Sequence, residues 1–490
     1  MNYKILVHIT GKIIMLEGLL MMLSVLVGLI YREKATVSVL IVALAAIALG
    51  FLLQLKKPMK KSIRAKEGFV ITGLSWLVMS IVGAVPFILS GAIPDFTDAV
   101  FETASGFTTT GASIITDLSV IPRCILFWRS FTHWIGGMGI LTFVLIFIPS
   151  NADEMNIMRA EAPGPSVEKM VPKVRETALT LYAIYTAMTV ALMIALAIAG
   201  MPIFDSICIS FGTAGTGGFG IKGDSIASYS TLCQNIITVG MFLFGVNFSV
   251  YYLAIMKKFK DILHSEEVLW YFIIYITASL IVALGSFTKF ISFAGLTGGS
   301  GYDSFGDALQ SAFFQVSSIM TTTGFATCDF NKWPDLPKAV MVSVMFIGAC
   351  AGSTGGGMKV SRWILYVKQI FREFQNYIHP NSVSSVKLDG KVVNNNTIRT
   401  TNVYLMAYMM VFLLSFIIVL FDGFDMVTTF TGVAATMNNI GPGLSVVGPA
   451  GSFAGFNHLS KWVFIFDMIA GRLELIPVLI MFAPRTWRKK

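Results

Sequence analysis

Four short segments of this 490-residue chain carry the residue types needed to hold a dehydrated cation with backbone alone. They read Thr108-Thr109-Thr110-Gly111, Gly215-Thr216-Gly217-Gly218, Thr321-Thr322-Thr323-Gly324 and Asn438-Asn439-Ile440-Gly441. A cation such as potassium gives up its water only where rings of carbonyl oxygens replace the hydration shell, and a ring requires several strands converging on one axis. Pointing successive carbonyls inward demands unusual dihedrals, which glycine tolerates, while neighbouring threonine hydroxyls support the loop. The candidate ligand segments are therefore Thr109, Thr110 and Gly111; Thr216, Gly217 and Gly218; Thr322, Thr323 and Gly324; and Asn439, Ile440 and Gly441. Their glycines recur at intervals of 107, 106 and 117 residues, and Ala99–Gly111 aligns without gaps to Ala312–Gly324. An internal repeat at this period predicts four copies of one unit, placed with pseudo-fourfold symmetry around a cation pore.

The elements that must position these segments lie in a membrane. Hydrophobic residues make up 55% of the chain and charged residues 13%, with mean hydropathy +0.74, which excludes a soluble protein of this size. Stretches able to cross about 30 Å of hydrocarbon recur throughout. The first, from about Ile13 to Ile30, is long for a signal-peptide core and lacks a small-residue cleavage site, so it reads as a retained helix. The fold class expected is all-α and polytopic. Two helices near 10–30 and 37–55 form an N-terminal hairpin, followed by four tandem units of helix, re-entrant half-helix, extended segment and helix. Outward helices are expected near 68–92, 176–200, 268–290 and 401–421, and returning helices near 124–149, 232–257, 338–370 and 459–482, giving ten full spans and four half-spans. The corresponding boundaries are 1–66 for the hairpin and a basic linker, then 67–150, 151–262, 263–376 and 377–490 for the repeats. Polar linkers run from Ser150 to Thr177 and from about Arg372 to Thr400.

Charge fixes the orientation. Lys56, Lys57, Lys60, Lys61, Arg64 and Lys66 crowd one linker, Lys257, Lys258 and Lys260 follow another span, and Arg485, Arg488, Lys489 and Lys490 end the chain. Aspartates cluster beside the glycine segments. The positive-inside rule then places both termini in the cytoplasm and the glycine segments near the outer face. Topogenic charge accounts for these lysines without nucleic acid. Asp98, Asp205, Asp307 and Asp425 precede the half-helices, where they are expected to cap free amides or to gather cations in a vestibule. Five scattered cysteines and five scattered histidines support neither a disulfide framework nor a zinc site.

At Ser105-Gly106-Phe107-Thr108-Thr109-Thr110-Gly111-Ala112, Asn438-Asn439-Ile440-Gly441-Pro442-Gly443 and Gly471-Arg472-Leu473-Glu474 the chain resembles the Trk/Ktr/HKT superfamily of potassium transporters, most nearly its bacterial TrkH type. The likeness covers essentially all 490 residues. It implies potassium uptake across the bacterial inner membrane, with each filter glycine contributing to selectivity. In that superfamily a serine at the first position accompanies sodium preference; here all four are glycine. The resemblance also implies a homodimer with one pore per protomer, and a TrkA-like cytoplasmic ring of nucleotide-binding RCK (KTN) domains. Potassium is then the substrate, and nucleotide acts only through the partner.

The third repeat departs from the others. Gly348-Ala349-Cys350-Ala351-Gly352-Ser353-Thr354-Gly355-Gly356-Gly357-Met358-Lys359 puts too much glycine into an apolar span for a helix to persist. A broken helix is expected, with its loop under the filter; the matching family segment is an intramembrane gate. Met358 stands where a phosphate-binding loop needs lysine. Lys359 and Arg362, at the cytoplasmic end, are placed to sense a partner. Arg472 lies inside the last apolar helix, where a charge requires a partner or a water-filled path. Asp467 or Glu474 could pair with it, while the family places its equivalent beside the permeation path. Glu102 and Gln315 occupy equivalent half-helix positions and are expected to stiffen the filter backbone. Two alternatives remain: a sodium-selective relative, or an intramembrane serine hydrolase using Ser353 or Ser105 with His133, which leaves the repeat unexplained.

Overall fold

The computed structural model describes residues 1, 3–55, 65–139, 174–295, 299–381, 384–473 and 475–487. Two long helices open the chain, α1 (Tyr3–Tyr31) and α2 (Ala35–Gln54). They pack tightly because small residues face each other: a side chain added at Gly18 would meet the Ala43 carbonyl at 2.7 Å, and one at Gly50 the backbone nitrogen of Met15 at 2.5 Å. Without a hydrophobic force between helices in lipid, such close approach supplies the cohesion. The hairpin leans on the first repeat, where the Ser24 hydroxyl donates to the Cys124 carbonyl.

The four outward helices are α3 (Ala65–Leu89), α6 (Val174–Ile198), α10 (Glu266–Gly285) and α14 (Asn395–Val419). At 20 to 25 residues and 1.5 Å per residue they reach about 30–38 Å, enough to cross a bilayer. The re-entrant half-helices are α4 (Phe96–Phe107), α7 (Ile203–Gly215), α11 (Phe305–Met320) and α15 (Met426–Met437). Each ends immediately before or within its glycine segment. Among the described residues the only strands are the two-residue pair Lys387–Leu388 and Lys391–Val392, in the linker before the fourth repeat.

The returning helices correct the sequence expectation. All four stop after 11 to 15 residues: α5 (Arg123–Gly137), α8 (Thr231–Phe244), α12 (Asp335–Met345) and α16 (His458–Arg472). At about 16–23 Å these cannot cross the hydrocarbon alone. In repeat 2 the chain resumes as α9 (Phe248–Ile255), bent 90° from α8. In repeat 3 the glycine-rich loop intervenes before α13 (Val360–Ile378). In repeat 4, α17 (Ile476–Phe482) follows a break where Leu475 takes φ 62°. The expected spans at 232–257 and 459–482 are thus interrupted, and residues 140–149 of the span at 124–149 lie outside the described residues. Broken helices leave free carbonyls beneath the glycine segments, and such backbone survives at membrane depth only beside polar partners or a cavity. The linker at 140–173 and most of the basic stretch at 56–66 also lie outside the described residues.

The aspartates play different parts from those expected. Only Asp425 is itself an N-cap. Its carboxylate accepts the Thr428 amide at 3.0 Å and the Thr428 hydroxyl. In repeat 1 the cap is Asp95, which accepts the Asp98 amide at 3.0 Å. Asp98, Asp205 and Asp307 sit in the first turns of their helices, where the partial positive charge of the helix end favours a carboxylate. Asp98 pairs with Lys461 at 2.6 Å, and Asp205 accepts the Tyr229 hydroxyl at 2.8 Å.

The Thr428 hydroxyl, and after it the Thr428 amide, hold the Asp425 carboxyl below its usual range. A lowered folded-state value stabilises the protein above the ordinary aspartate pKa of about 3.9. That contribution disappears as pH falls through the lowered value. Asp425→Ala is expected to cost about 1 kcal/mol at pH 7, read as a lower melting temperature in detergent. The gap between variant and parent should narrow below about pH 4. A gap that is constant or widens on acidification contradicts the assignment.

Candidate functional site

The four glycine segments share one backbone pattern. Two residues before each glycine stands a left-handed residue: Thr109 at φ 55°, Thr216 at 53°, Thr322 at 60° and Asn439 at 55°. The glycines follow at φ 79°, 76°, 84° and 93° for Gly111, Gly218, Gly324 and Gly441. Left-handed φ in a non-glycine residue is costly, and it recurs here at four equivalent positions. Alternating left- and right-handed dihedrals turn successive carbonyls toward one side, as a carbonyl-lined ion path requires.

What the glycines face shows how the segments assemble. A β-carbon on Gly111 would lie 2.0 Å from the Gly217 carbonyl oxygen, one on Gly218 1.9 Å from that of Thr323, and one on Gly324 2.0 Å from that of Ile440. One on Gly441 would lie 2.8 Å from the Thr110 oxygen. Each glycine therefore abuts the carbonyl before the next repeat's glycine, and the fourth returns to the first. The four segments close into a ring in chain order. Over it lies a cavity of about 210 Å³ lined by all four glycines and by Ala112, Ser113, Arg129 and Phe219 among others. Asp98, Asp205, Asp307 and Asp425 do not line it.

Behind the ring, side chains tie the four glycine segments down. Thr108 and Thr110 share a hydroxyl contact at 2.8 Å, repeated by Thr321 and Thr323 at 2.8 Å. Asn439 donates to the Thr110 hydroxyl at 2.9 Å and to the Met468 carbonyl at 2.8 Å, joining repeats 4 and 1. Glu102, fully buried, accepts the Ile114 amide at 2.9 Å and the Ser113 hydroxyl at 2.9 Å. Gln315 turns its carboxamide oxygen to the equivalent amide of Thr327 at 2.9 Å. Both hold the chain just beyond the glycine ring, as expected from their register.

Beneath the ring lies the glycine-rich loop. Its Gly356 amide donates to the Thr322 hydroxyl at 2.8 Å. A β-carbon on Gly356 would meet Asn439 at 2.6 Å, and one on Gly357, at φ 64°, the Asn438 carbonyl oxygen at 3.0 Å. At Gly348, φ 74° and the Met358 carbonyl at 2.0 Å from an added β-carbon allow no side chain. The expected break in the helix is seen, and the loop lies against the glycine ring. Glu267 accepts the Ala351 amide at 2.7 Å and the Ser361 amide at 3.2 Å, holding both ends of the loop. Gly352 accepts from the Phe248 amide at 3.0 Å, and Thr354 donates to the Phe244 carbonyl at 3.1 Å, anchoring it to repeat 2. Ser353 donates to the Cys350 carbonyl at 2.7 Å.

Arg472, at the end of α16, reaches across the level where the returning helices break. It donates to the Thr354 carbonyl of the loop at 2.6 Å and to the Gly136 and Gly137 carbonyls of repeat 1, each at 2.6 Å. Asp467 accepts instead from the Ser415 hydroxyl at 2.7 Å; Glu474 lies outside the described residues. Lys359 is buried and donates to the Gly355 and Gly356 carbonyls of its own loop. Arg362 is buried with its guanidinium 4.1 Å from the Tyr404 ring centroid. Neither is presented to a cytoplasmic partner as the sequence suggested. His133 has no hydrogen-bonded serine among the described residues and stacks on Phe219 at 4.1 Å, which removes the hydrolase arrangement.

Sequence reading missed Arg129 and Glu267. Arg129 is a charge in the middle of a buried helix, and that misplacement was the available signal; Glu267 stands in the first turn of α10, where an acidic residue is ordinary, and gave none.

A family model described as a cation transport protein, TrkH, matches residues 36–489. The chain belongs to the TrkH family of cation transport proteins. It is 37% identical to the Trk system potassium uptake protein TrkH of Salmonella typhimurium and 36% identical to that of Escherichia coli K12, over the full length of both chains in each case. The crystal structure of the potassium transporter TrkH from Vibrio parahaemolyticus superposes with TM-score 0.87 at 32% identity, covering 100% of both chains. The two chains share one fold over their whole length.

The ring geometry ranks the four glycines. Gly441 has 2.8 Å to its neighbour's oxygen where the others have 1.9–2.0 Å. Gly441→Ala is therefore the best tolerated of the four single alanine variants, retaining more cation flux in proteoliposomes and a melting temperature nearer the parent's. If Gly441→Ala is the most damaging of the four, the ring closure deduced here is wrong.

Proposed function

We propose that this chain is the potassium-translocating subunit of a Trk-type uptake system in the bacterial inner membrane, with the four glycine turns as its selectivity filter. The observation that carries this reading is the closed ring of left-handed turns, each glycine seated against the carbonyl of the next repeat. Such a ring offers several carbonyl oxygens per layer, the coordination that substitutes for a cation's water. Glycine at all four positions favours potassium over sodium. A side chain in any quadrant would displace a neighbouring carbonyl.

The loop Gly348–Lys359 acts as the gate. It sits below the filter and is bonded to filter, repeat 2 and Arg472, and its small residues permit a second backbone arrangement of similar energy. Arg472 acts twice, as the latch holding Thr354 and as a positive charge opposing cation passage below the filter. Movement reaches the loop through α13, which begins where the loop ends and continues into a segment with Phe371, Phe374 and Tyr377 exposed. A TrkA-like ring with nucleotide-binding RCK domains, docked on the cytoplasmic face, would bias that helix. The chain works as a homodimer with one pore per protomer and both termini in the cytoplasm, the side on which the lysine-rich linkers fall.

Rubidium and sodium uptake into proteoliposomes, with and without the cytoplasmic ring, tests this reading. Gly111→Ser should reduce discrimination of potassium and rubidium against sodium. Deleting several residues from Gly352 to Gly357, or replacing Arg472 with Ala, should raise flux and weaken its dependence on the ring. Unchanged ion preference in folded Gly111→Ser removes the filter assignment. Equal flux from parent, loop-deleted and Arg472→Ala proteins removes the gate.

A further inference from the structure

Arg129 is a buried cation in the returning helix of repeat 1, and its contacts span two quadrants of the filter. Its Nε donates to Glu102 Oε1 at 2.6 Å, with both side chains almost wholly buried. Its guanidinium also donates to the Gly220 carbonyl at 3.0 Å, in the strand leaving the repeat 2 filter. The same group lies 3.5 Å from the ring centroid of Phe219, the residue directly after Gly218. Glu102 in turn holds the Ile114 amide and Ser113 hydroxyl in the strand leaving the repeat 1 filter. One ion pair thus fixes the exit strands of two successive repeats against each other.

Repeats 3 and 4 solve this locally and without charge. Repeat 3 uses Gln315 on its own exit strand. Repeat 4 uses the Thr431 hydroxyl, which accepts the Leu444 amide at 2.9 Å. Repeat 2 has neither. The position equivalent to Glu102 is Ile209, buried and apolar, so its pore helix offers the exit strand no polar anchor there. At the same step from the start of the other three returning helices stand Ile237, Met341 and Phe464, all buried. The cation behind the ring belongs to repeat 1 and serves repeat 2.

Resting on the potassium-filter reading above, we propose that Arg129 is a specificity-determining positioning residue. Braced by Glu102, it sets the spacing of the first and second filter strands on which discrimination between potassium and sodium depends. A buried ion pair is weak evidence for stability, because desolvation offsets attraction; a role in defining one geometry accounts better for its presence. The planar fork of arginine suits it to hold Glu102 and the Gly220 carbonyl at once while stacking on Phe219. Lysine keeps the charge but has neither fork nor plane.

The test compares Arg129→Lys, Glu102→Gln and the double variant Glu102→Gln/Arg129→Met in proteoliposomes, measuring rubidium and sodium flux and the apparent KM for rubidium. Glu102→Gln installs the side chain that repeat 3 uses natively, and the double variant leaves no unpaired buried charge, so at least one of the three should purify as folded, monodisperse protein. Expected is a fall of about tenfold in rubidium-over-sodium preference, equivalent to about 1.4 kcal/mol, with a raised KM and little change in maximal flux. A purely structural brace would lower protein yield and melting temperature and leave preference and KM of the folded fraction unchanged. Preference and KM within about twofold of the parent in every folded variant overturns the proposal. Gly111→Ser, measured alongside, separates the two ideas. If it shifts preference and the Arg129 and Glu102 variants do not, the filter stands and the brace falls. If it too leaves preference unchanged, the filter reading itself has failed.

Discussion

The crowding of backbone against backbone around the central ring governs this structure. Three of the four glycines stand so close to the next repeat's carbonyl that a β-carbon would sit at 1.9–2.0 Å from the oxygen. No soft side chain takes up that clash, because the opposing atom is main chain. Glycine is required there for room as well as for φ. The requirement propagates outward: each glycine must be delivered at the same depth by a half-helix, and each half-helix must be seated by a helix on either side. Four tandem repeats follow from one steric constraint imposed four times.

A ring of oxygens aimed at one axis repels itself unless it is held, and the molecule holds it differently in each quadrant. Threonine hydroxyls pair behind the filters of repeats 1 and 3, Asn439 crosses from repeat 4 to repeat 1, and Arg129 crosses from repeat 1 to repeat 2. Below the ring, the loop of repeat 3 completes the enclosure through Thr322 and is itself held by Glu267 and Arg472. Fourfold repetition therefore holds for the helices and the ring backbone but not for the side chains that support the ring. The supporting side chains are asymmetric, which lets one repeat carry the loop while the others stay fixed.

Much of this was legible in the sequence because it depends on residue types with few alternatives. The recurring glycines, the apolar runs and the density of glycine between Gly348 and Gly357 each have one economical reading, and the family likeness drew on the same residues. The breaks after α8 and α16 went unread although local signals stood in the sequence: Asn247 caps α9 by accepting the Ser249 amide, and Gly471, Arg472 and Pro477 interrupt the apolar run around Leu475. The caps were half legible: Asp425 was placed correctly, whereas Asp98 was displaced by Asp95, three residues earlier. Lys359 and Arg362 were read as placed to sense a partner, yet both are buried, Lys359 bonded to its own loop and Arg362 against Tyr404. Arg129 could have been flagged as a charge within an apolar helix, but its reach to Gly220, in the next repeat, is a fact of three-dimensional packing alone.

The central claim is that the four glycine turns jointly form one cation site. Anomalous diffraction from crystals grown in rubidium or thallium measures this directly. The account predicts density on the ring axis, flanked by the carbonyls of Thr110, Gly217, Thr323 and Ile440, which weakens when sodium replaces the heavier ion. Density confined to positions off that axis, in crystals of protein that still transports rubidium, would contradict it.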